Sequence, residues 1–154
     1  MAAPSSRKVI ALNRRARYDY AIEEVVEAGI ILLGSEVKSM RLGRADISHA
    51  FADEREGDIY LLNAHVDEYK GANQFNHEPK RPRKLLLKKR QISKLMGAVQ
   101  RKGVTLIPLS LYFNEKGLVK LELGIAKGKN LYDKRAALKE KEWNRQKSRV
   151  LRED

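Results

Sequence analysis

Residues 104–126 read VTLIPLSLYFNEKGLVKLELGIA and contain the clearest β-hairpin pattern in the chain. In the second half, apolar residues alternate with Lys120, Glu122 and Gly124, which is the period of a strand with one buried face. The polar loop NEKG separates this half from an equally apolar first half. We therefore predict antiparallel strands at 104–113 and 118–126.

A long strand is predicted upstream, over residues 18–33. Tyr18, Tyr20 and Ile22 alternate with smaller or polar residues, and the apolar run VVEAGIIL then continues with a shift in phase. Gly29 interrupts this run. A glycine inside a strand pattern often marks a bend or a bulge, so we predict one there.

Shorter strands are predicted between this strand and the hairpin. Residues 45–52 and 59–66 flank the charged turn DEREGD and indicate a second hairpin. Residues 68–82 contain Gly, Asn, Pro and charged residues, which is typical of a surface loop. Residues 84–87 regain apolar character after this loop.

Two short helices are predicted. Ser35 is placed to cap a helix over 36–42 that stops at Gly43. A second helix ends at Gly103, and its apolar residues follow the i, i+3, i+4, i+7 spacing of one helix face: Ile92, Leu95, Met96 and Val99.

These elements predict a mainly β fold. Six or seven short strands with two short helices favour a small closed antiparallel β-barrel of the oligonucleotide-binding (OB) type. A βαβ sheet would need regular helical crossovers, which the pattern lacks.

The charge balance indicates a polyanionic partner. The chain has 154 residues, with 32 Lys and Arg against 20 Asp and Glu, giving a net charge of +12. Residues 124–152 hold ten of these cations and only three acids, and their large apolar residues are too sparse for a core helix. We predict a barrel domain at 1–126 and a basic tail at 127–154 that is disordered when free and orders on nucleic acid.

Targeting signals are weak. The first 17 residues, MAAPSSRKVIALNRRAR, lack the apolar core of a signal peptide and resemble either a flexible basic extension or an organelle transit peptide. Without cysteine the chain has no disulfide or thiolate metal site, which fits a reducing compartment. The longest apolar runs are too short to span a bilayer, so we expect a soluble protein.

The candidate enzyme motifs in the sequence are incomplete. In GIAKGKN only three residues separate the glycines, and Lys129 precedes Asn130 where a P-loop needs Ser or Thr. We interpret these glycines as a hinge between barrel and tail. His49, His65 and His77 lack the spacing that would place two imidazoles on one metal ion, so no metal site is expected.

Three residues are candidates for RNA contact, each with a plainer alternative. Glu27 in VVEAG is either a solvent-facing strand acid or an acceptor for base-edge or 2′-hydroxyl donors. Lys120 points outward and is either simply solvated or a cationic contact. Leu86 is the middle leucine of RKLLLKKR and cannot share a face with its neighbours, so it is expected to be exposed and able to pack on a base or ribose.

The sequence resembles the SmpB proteins (SsrA-binding proteins) of bacterial trans-translation. The resemblance covers nearly the whole chain in order: ALNRRARYDYAIEEVVEAGIILLGSEVKSMRLGRADI, RPRKLLLKKRQISKL, GVTLIPLSLYF, GIAKGKNLYDKR and KEKEWNRQKSRV. It implies an OB-type barrel that binds the tRNA-like part of transfer-messenger RNA (tmRNA) and accompanies it into stalled ribosomes. Elongation factor Tu with GTP delivers the charged RNA. The protein is then a cytoplasmic binding module without a cofactor, not an enzyme.

The resemblance also implies roles for individual residues. Its RNA-binding positions match here at Glu27, Leu86 and Lys120, and the motif NRRAR adds Asn13, Arg14 and Arg15. The matches in the ribosome-contacting tail, which is expected to become helical on the ribosome, are Lys127, Gly128, Lys129, Tyr132, Asp133, Lys134, Arg135 and Trp143. Tyr132 stands where the family also has histidine, so a stacking role is preserved and a titrating role is not.

Two other interpretations compete with the adaptor. One is a basic barrel protein of the ribosome or of general RNA binding, and the other is an unrecognised RNA-processing enzyme. The RNA that copurifies with the protein distinguishes the adaptor from the general RNA-binding protein. Metal-dependent RNA cleavage would indicate the enzyme.

Overall fold

The computed structural model describes residues 7–71, 76–129, 142, 143 and 145. Within them the fold is mainly β, as predicted, with three helices where two were predicted. The strands are β1 (Lys8–Leu12), β2 (Tyr20–Ile30), β3 (Ala45–Asp46), β4 (Phe51–Arg55), β5 (Asp58–Leu62), β6 (His65–Val66), β7 (Arg83–Leu86), β8 (Val104–Phe113) and β9 (Val119–Gly128). The helices are α1 (Ala16–Asp19), α2 (Gly34–Arg41) and α3 (Lys89–Val99).

Seven strands form one antiparallel sheet in the order β1-β8-β4-β5-β7-β2-β9, and β9 also pairs with β8. The pairings therefore run from β8 through β4, β5, β7, β2 and β9 back to β8, with β1 attached outside this ring. The strands β3 and β6 form a separate two-stranded ladder. Because every adjacent pair is antiparallel, short turns are sufficient for the connections β4–β5 and β8–β9.

The predicted hairpin is confirmed and supplies much of the core. Leu121 and Leu123 of β9 are fully buried, and Glu122 between them faces outward. A register shift between Pro108 and Ser110 changes the phase of β8. The main core therefore receives Leu106 and Leu111. Ile107 and Leu109, which lie between them, instead form a smaller second cluster with Ala16 of α1 and Ala126.

The predicted strand at 18–33 is shorter than expected. Residues 16–19 form α1, so β2 starts at Tyr20 and ends at Ile30. The phase shift lies between Ile22 and Glu24, so the prediction of a bend or bulge at Gly29 is wrong. Gly29 pairs in register with neighbours on both of its edges.

The two strands predicted at 45–52 and 59–66 are each divided in two, into β3 and β4 and into β5 and β6. The hairpin between β4 and β5 is confirmed, but its turn is tighter than DEREGD. Only Glu56 and Gly57 lie outside the strands, with φ of 52° and 86°, the left-handed conformation that two-residue hairpins favour.

Both predicted helices are present with different bounds. α2 begins at Gly34, directly after its N-cap residue Leu33, whose backbone N–H donates to Glu36 Oε1 at 2.8 Å. Ser35 is therefore not the cap, and its hydroxyl instead hydrogen-bonds His77 Nδ1 at 2.8 Å. The face predicted for α3 is confirmed because Leu95 is fully buried against the core. That helix ends at Val99, four residues before the predicted glycine. No helix in the described ranges is long and apolar enough to cross a membrane.

A buried cluster of Glu36, Arg81 and Arg83 fastens the end of the loop 68–82 to α2. Glu36 and Arg83 are fully buried and bonded through Arg83 Nε, and Arg81 Nη2 donates to Glu36 Oε1 at 2.6 Å. Arg83 also donates to the carbonyl oxygens of Ala64 and Pro79, at 3.0 and 3.1 Å. Burial alone would raise the pKa of Glu36, but the bonds from Arg81 and Leu33 and the charge of Arg83 hold it below its ordinary value.

Candidate nucleic-acid interface

The strands β7, β2 and β9 bring three of the candidate residues together. Leu86 on β7 and Lys120 on β9 are both paired with Gly29 on the intervening β2. Glu27 lies two residues before Gly29 and therefore on the same outward face. Three residues that are 34 to 93 positions apart in sequence thus share one patch of the sheet.

Gly29 makes this patch possible because its missing side chain leaves room for its neighbours. A Cβ atom at this position would lie 3.2 Å from Leu86 Cβ and 3.7 Å from Lys120 Nζ. The ammonium group of Lys120 thus lies over the backbone of β2 beside the leucine side chain. This close approach, and not a bulge, is the structural reason for the glycine.

The patch lies in a groove of about 850 Å³ between the sheet and α3. Leu86 is exposed by 53 %, so its apolar surface is presented to the groove. The Lys120 ammonium group has neither a hydrogen bond nor an ion pair with any of the described residues. The remaining lining residues are mostly charged or apolar: Glu24, Val25, Val26, Leu87, Lys88, Arg90, Gln91 and Lys94.

Glu27 belongs to an exposed cluster with Arg7 and Glu122, which lies above the buried Tyr112. The two carboxylates are cross-strand partners on β2 and β9, where like charges repel. Arg7 bonds Glu122, its Nη2 lies 3.9 Å from Glu27 Oε2, and its guanidinium carbon lies 4.2 Å from the centre of the Tyr112 ring. The Tyr112 hydroxyl donates to Glu27.

Tyr112 is buried beneath this cluster and stays protonated. Burial raises the pKa of its hydroxyl far above the ordinary value, and the hydrogen bond to Glu27 raises it further. The Glu27 carboxylate therefore has a permanent donor on one side. Because the side chain of Glu27 is still about half exposed, its other acceptor sites face the groove.

The residues of the NRRAR motif lie apart from the groove. Asn13 is tied to β8, since its backbone N–H donates to Leu109 O at 2.9 Å and its amide donates to Pro108 O at 3.1 Å. Arg15 forms an ion pair with Asp19 at 3.7 Å and Arg14 is exposed. Neither these arginines nor Asn13 line the groove that holds Glu27.

The first residues predicted for the tail are part of the sheet. Lys127 and Gly128 belong to β9, so the sheet continues two residues beyond the predicted domain boundary at residue 126. Lys129 follows at once, with its backbone N–H donating to Asp19 O at 3.0 Å and its ammonium group donating to Arg17 O at 3.1 Å.

The predicted hinge at Gly124 is wrong, because this residue lies inside β9, where a Cβ would come within 3.3 Å of Ile22 and Leu109. Trp143 is described and exposed by 61 %. The other predicted tail contacts lie outside the described residues: Tyr132, Asp133, Lys134 and Arg135.

The described residues contain no group of three or more His, Asp or Glu side chains that could hold a metal ion. His77 is instead a buried histidine whose Nε2 donates to Val66 O at 2.8 Å while Nδ1 accepts from Ser35. His65 bonds Asp67 at 2.9 Å. The chemistry of the groove is that of a hydrogen-bonding and cationic binding surface.

Known proteins resemble this chain in sequence and in fold. The sequence model of the family described as SmpB protein matches residues 10–153. The chain belongs to the SmpB family. Its relatives include proteins named SsrA-binding protein from Afipia carboxidovorans, 59% identical, and Nitrobacter winogradskyi, 61% identical, each over 145 residues that cover 94% of this chain and 92% of the relative.

A solved SmpB structure is similar in fold. It is described as "tmRNA-SmpB: a journey to the center of the bacterial ribosome", and it matches with a TM-score of 0.67 and 46% sequence identity. The match covers 82% of this chain and 92% of that chain.

Sequence reasoning missed part of this SmpB surface. Tyr112 could have been found from the hairpin, because its register places the tyrosine opposite Lys120. The cations of α3 were signalled by the run KKR at 88–90 that follows the exposed leucine. Arg7 gave no signal, because only the pairing of β1 with β8 brings it to Glu122.

Proposed function

We propose that this SmpB-family chain binds the tRNA-like domain of tmRNA (SsrA) and delivers it to stalled ribosomes for trans-translation. The observation that carries the proposal is the juxtaposition of Glu27, Leu86 and Lys120 around Gly29 in one groove. The names of the relatives and the content of the similar solved structure support the same RNA and the ribosome as partners.

The groove offers three kinds of contact to a folded RNA. The half-exposed carboxylate of Glu27 accepts hydrogen bonds from 2′-hydroxyl groups or base edges, which distinguishes RNA from a simple polyanion. The ammonium group of Lys120 has no partner among the described residues, so it is available to bind a phosphate. Leu86 packs its exposed side chain on a ribose or an unstacked base.

In the finer form of the proposal, the ring of strand pairings is a closed barrel of the OB type, and the chain divides into this barrel and a basic tail. OB-type barrels bind oligonucleotides on their strand faces, which matches the position of the groove on β7, β2 and β9. The protein then acts as a cytoplasmic binding module and not as a catalyst. Elongation factor Tu with GTP joins the complex through the charged RNA.

The tail has a separate role in this proposal. Its cations beyond the sheet, including Lys134 and Arg135, are neutralised by ribosomal RNA in the empty messenger path, which lets the segment become helical. Residues 136–148 contain no Gly or Pro and are rich in helix formers. Tyr132 and Trp143 stack on bases at roughly 1–3 kcal/mol each, which fixes the register of the helix.

The first test identifies the RNA. The full-length protein is purified from a bacterial host at moderate salt, and the RNA that copurifies is sequenced. Enrichment of one RNA with a tRNA-like domain is expected. Bulk ribosomal RNA without that enrichment would contradict the proposal in favour of a general ribosomal protein, and cleavage of added RNA that depends on a divalent metal would favour an enzyme.

The second test separates the barrel from the tail. Deletion from Asp133 onward is expected to preserve binding of the free tRNA-like RNA and to abolish peptide tagging on stalled ribosomes in a reconstituted system. Tagging at the level of the full chain, or loss of RNA binding together with tagging, would contradict the division of work.

A further inference from the structure

We propose that α3 is a second wall of the RNA groove, which holds phosphates while the sheet wall reads hydroxyls and bases. This inference rests on the proposed function. Lys88 and Arg90, at the start of α3, line the same groove as Glu27 and Lys120 of the sheet.

The two cations at the start of α3 are unsatisfied. Within the described parts of the chain, the side chains of Lys88 and Arg90 have no hydrogen bond or ion pair, and both residues are exposed. Together with Lys120 they bring three unpaired positive charges to one concave surface. Such an arrangement is repulsive in the free protein and is relieved by a polyanion, so it indicates phosphates as the ligand.

The helix also holds these cations on a rigid support. Leu95 is fully buried in the main core, and Gln91 Oε1 accepts from the backbone N–H of Lys88 at 2.9 Å, which fixes the first turn. On the next turn Lys94 bonds Glu24 of β2, which connects the helix to the sheet wall of the groove. The spacing between the two walls is therefore set by the fold.

The two walls have different chemistry, which divides the work between them. The sheet wall combines an acceptor, an apolar side chain and one cation, whereas the first turn of α3 contributes cations without an acid of its own. Phosphate contacts position a protein on RNA without reading sequence, and contacts to hydroxyls and base edges give specificity. The α3 wall therefore contributes affinity and register, and the sheet wall contributes selectivity.

The test uses two double variants of equal charge. The wall variant, Lys88→Ala with Arg90→Ala, removes the two cations at the start of α3 that line the groove. The control variant, Lys89→Ala with Lys102→Ala, removes two exposed cations that do not line the groove. Binding of fluorescently labelled tRNA-like RNA is measured by polarisation at several salt concentrations. Thermal melting and circular dichroism of both variants are compared with the wild type.

If roughly six phosphates are contacted in all, the wild-type slope of log K against log salt is about −4 to −5. Loss of two contacts is expected to make this slope shallower by about 1.4 to 1.8 and to weaken binding about 20-fold near 0.15 M salt. The control variant is expected to keep the wild-type slope. Equal slopes for wild type and wall variant, or equal changes in wall variant and control, would overturn the proposal.

A comparison RNA separates this inference from the proposed function. Wild type is also titrated with an unrelated duplex RNA of equal length. Equal affinity of the wild type for both RNAs would contradict the proposed function and leave the slope comparison intact. Preference for the tRNA-like RNA with an unchanged slope in the wall variant would contradict only the role of α3. The role of α3 is supported if the wall variant has a shallower salt slope than the wild type and the wild type prefers the tRNA-like RNA.

Discussion

Two clusters in this molecule combine glutamate with arginine, one inside the fold and one on the groove face. In the buried cluster, Glu36 is bonded to Arg81 and Arg83 with no exposed surface of its own. In the exposed cluster, Glu27 and Glu122 share the cation of Arg7 while remaining open to solvent. The same functional groups therefore occupy very different surroundings.

The difference shows how burial separates a structural role from a binding role. Glu36 accepts bonds on both carboxylate oxygens and is fully buried, so a ligand cannot reach it. Removing a partner would leave a charge in a buried environment. Glu27 has one strong donor and remains half exposed, so a ligand can add hydrogen bonds without displacing the protein's own. The first cluster should therefore govern stability and the second should govern RNA binding.

The largest effect is expected from breaking the buried cluster. Arg83→Ala removes one of the two cations bonded to fully buried Glu36 and leaves two backbone carbonyls without their donor, which should lower the free energy of unfolding by about 3–5 kcal/mol. Urea denaturation followed by circular dichroism measures this loss. Arg55→Ala, which removes an exposed arginine from β4, is the control and should change stability by less than about 0.5 kcal/mol. Equal effects of the two substitutions would show that the buried cluster is not structural.

Acid should weaken the same cluster. The pKa of Glu36 is lower in the folded protein than in the unfolded chain, where it is about 4.3, so its stabilisation is complete above that pH and is lost as pH falls through the folded value. The difference in unfolding free energy between wild type and Glu36→Gln should therefore be largest near neutral pH and shrink below about pH 4.3. A difference that stayed constant from pH 7 to pH 3 would contradict a role for the charge.

The groove face should show the opposite pattern. Lys120→Ala or Leu86→Asp is expected to weaken binding of the tRNA-like RNA by roughly tenfold, because each removes one contact from a shared patch. Melting temperature and circular dichroism should remain at wild-type values since both side chains point out of the core. Unchanged binding in both variants would remove these residues from the site.

Gly29 offers a sharper test of the same face, because it changes the shape of the patch without removing a contact residue. Gly29→Ala places a Cβ 3.2 Å from Leu86 Cβ, so the two strands or the leucine must shift by a few tenths of an ångström. We expect RNA binding to fall several-fold with a destabilisation of about 1 kcal/mol. Gly97→Ala is the control, since an added methyl group there meets nothing within 4 Å.

The smallest effect is expected from Arg7→Ala in the exposed cluster. Its ion pairs are solvated, so the free energy of unfolding should change by no more than about 1 kcal/mol. The change should be greater at low salt, where the repulsion between Glu27 and Glu122 is less screened. A loss as large as that from Arg83→Ala would erase the distinction between the two clusters.

The parts of the fold that sequence predicted were those with a simple pattern. The strand β9 was found because apolar residues alternate along its first half, and β8 was found as a continuous apolar run on the other side of the NEKG loop. The helix α3 was found because Leu95 and its neighbours repeat at helical spacing. Leu86 was predicted to be exposed and is. In each case the pattern is local, so no knowledge of distant partners was required.

The parts that sequence missed depend on partners far along the chain. Gly29 looked like a bulge because a glycine in a strand has several causes, and only the pairing with Leu86 and Lys120 selects close approach. The helix α1 was missed since its single turn overlaps the alternating tyrosines. The role of Ser35 was misread because its hydrogen-bond partner, His77, is 42 residues away.

The ring of strand pairings has a consequence for motion in the groove. The three strands that carry Glu27, Leu86 and Lys120 each have a hydrogen-bonded neighbour on both edges, so none of them can fray from a free edge. Amide hydrogens in these strands should exchange with solvent only through large-scale opening of the sheet. Little conformational entropy is then left to lose when a rigid RNA docks, and the complex forms by the meeting of two ordered surfaces.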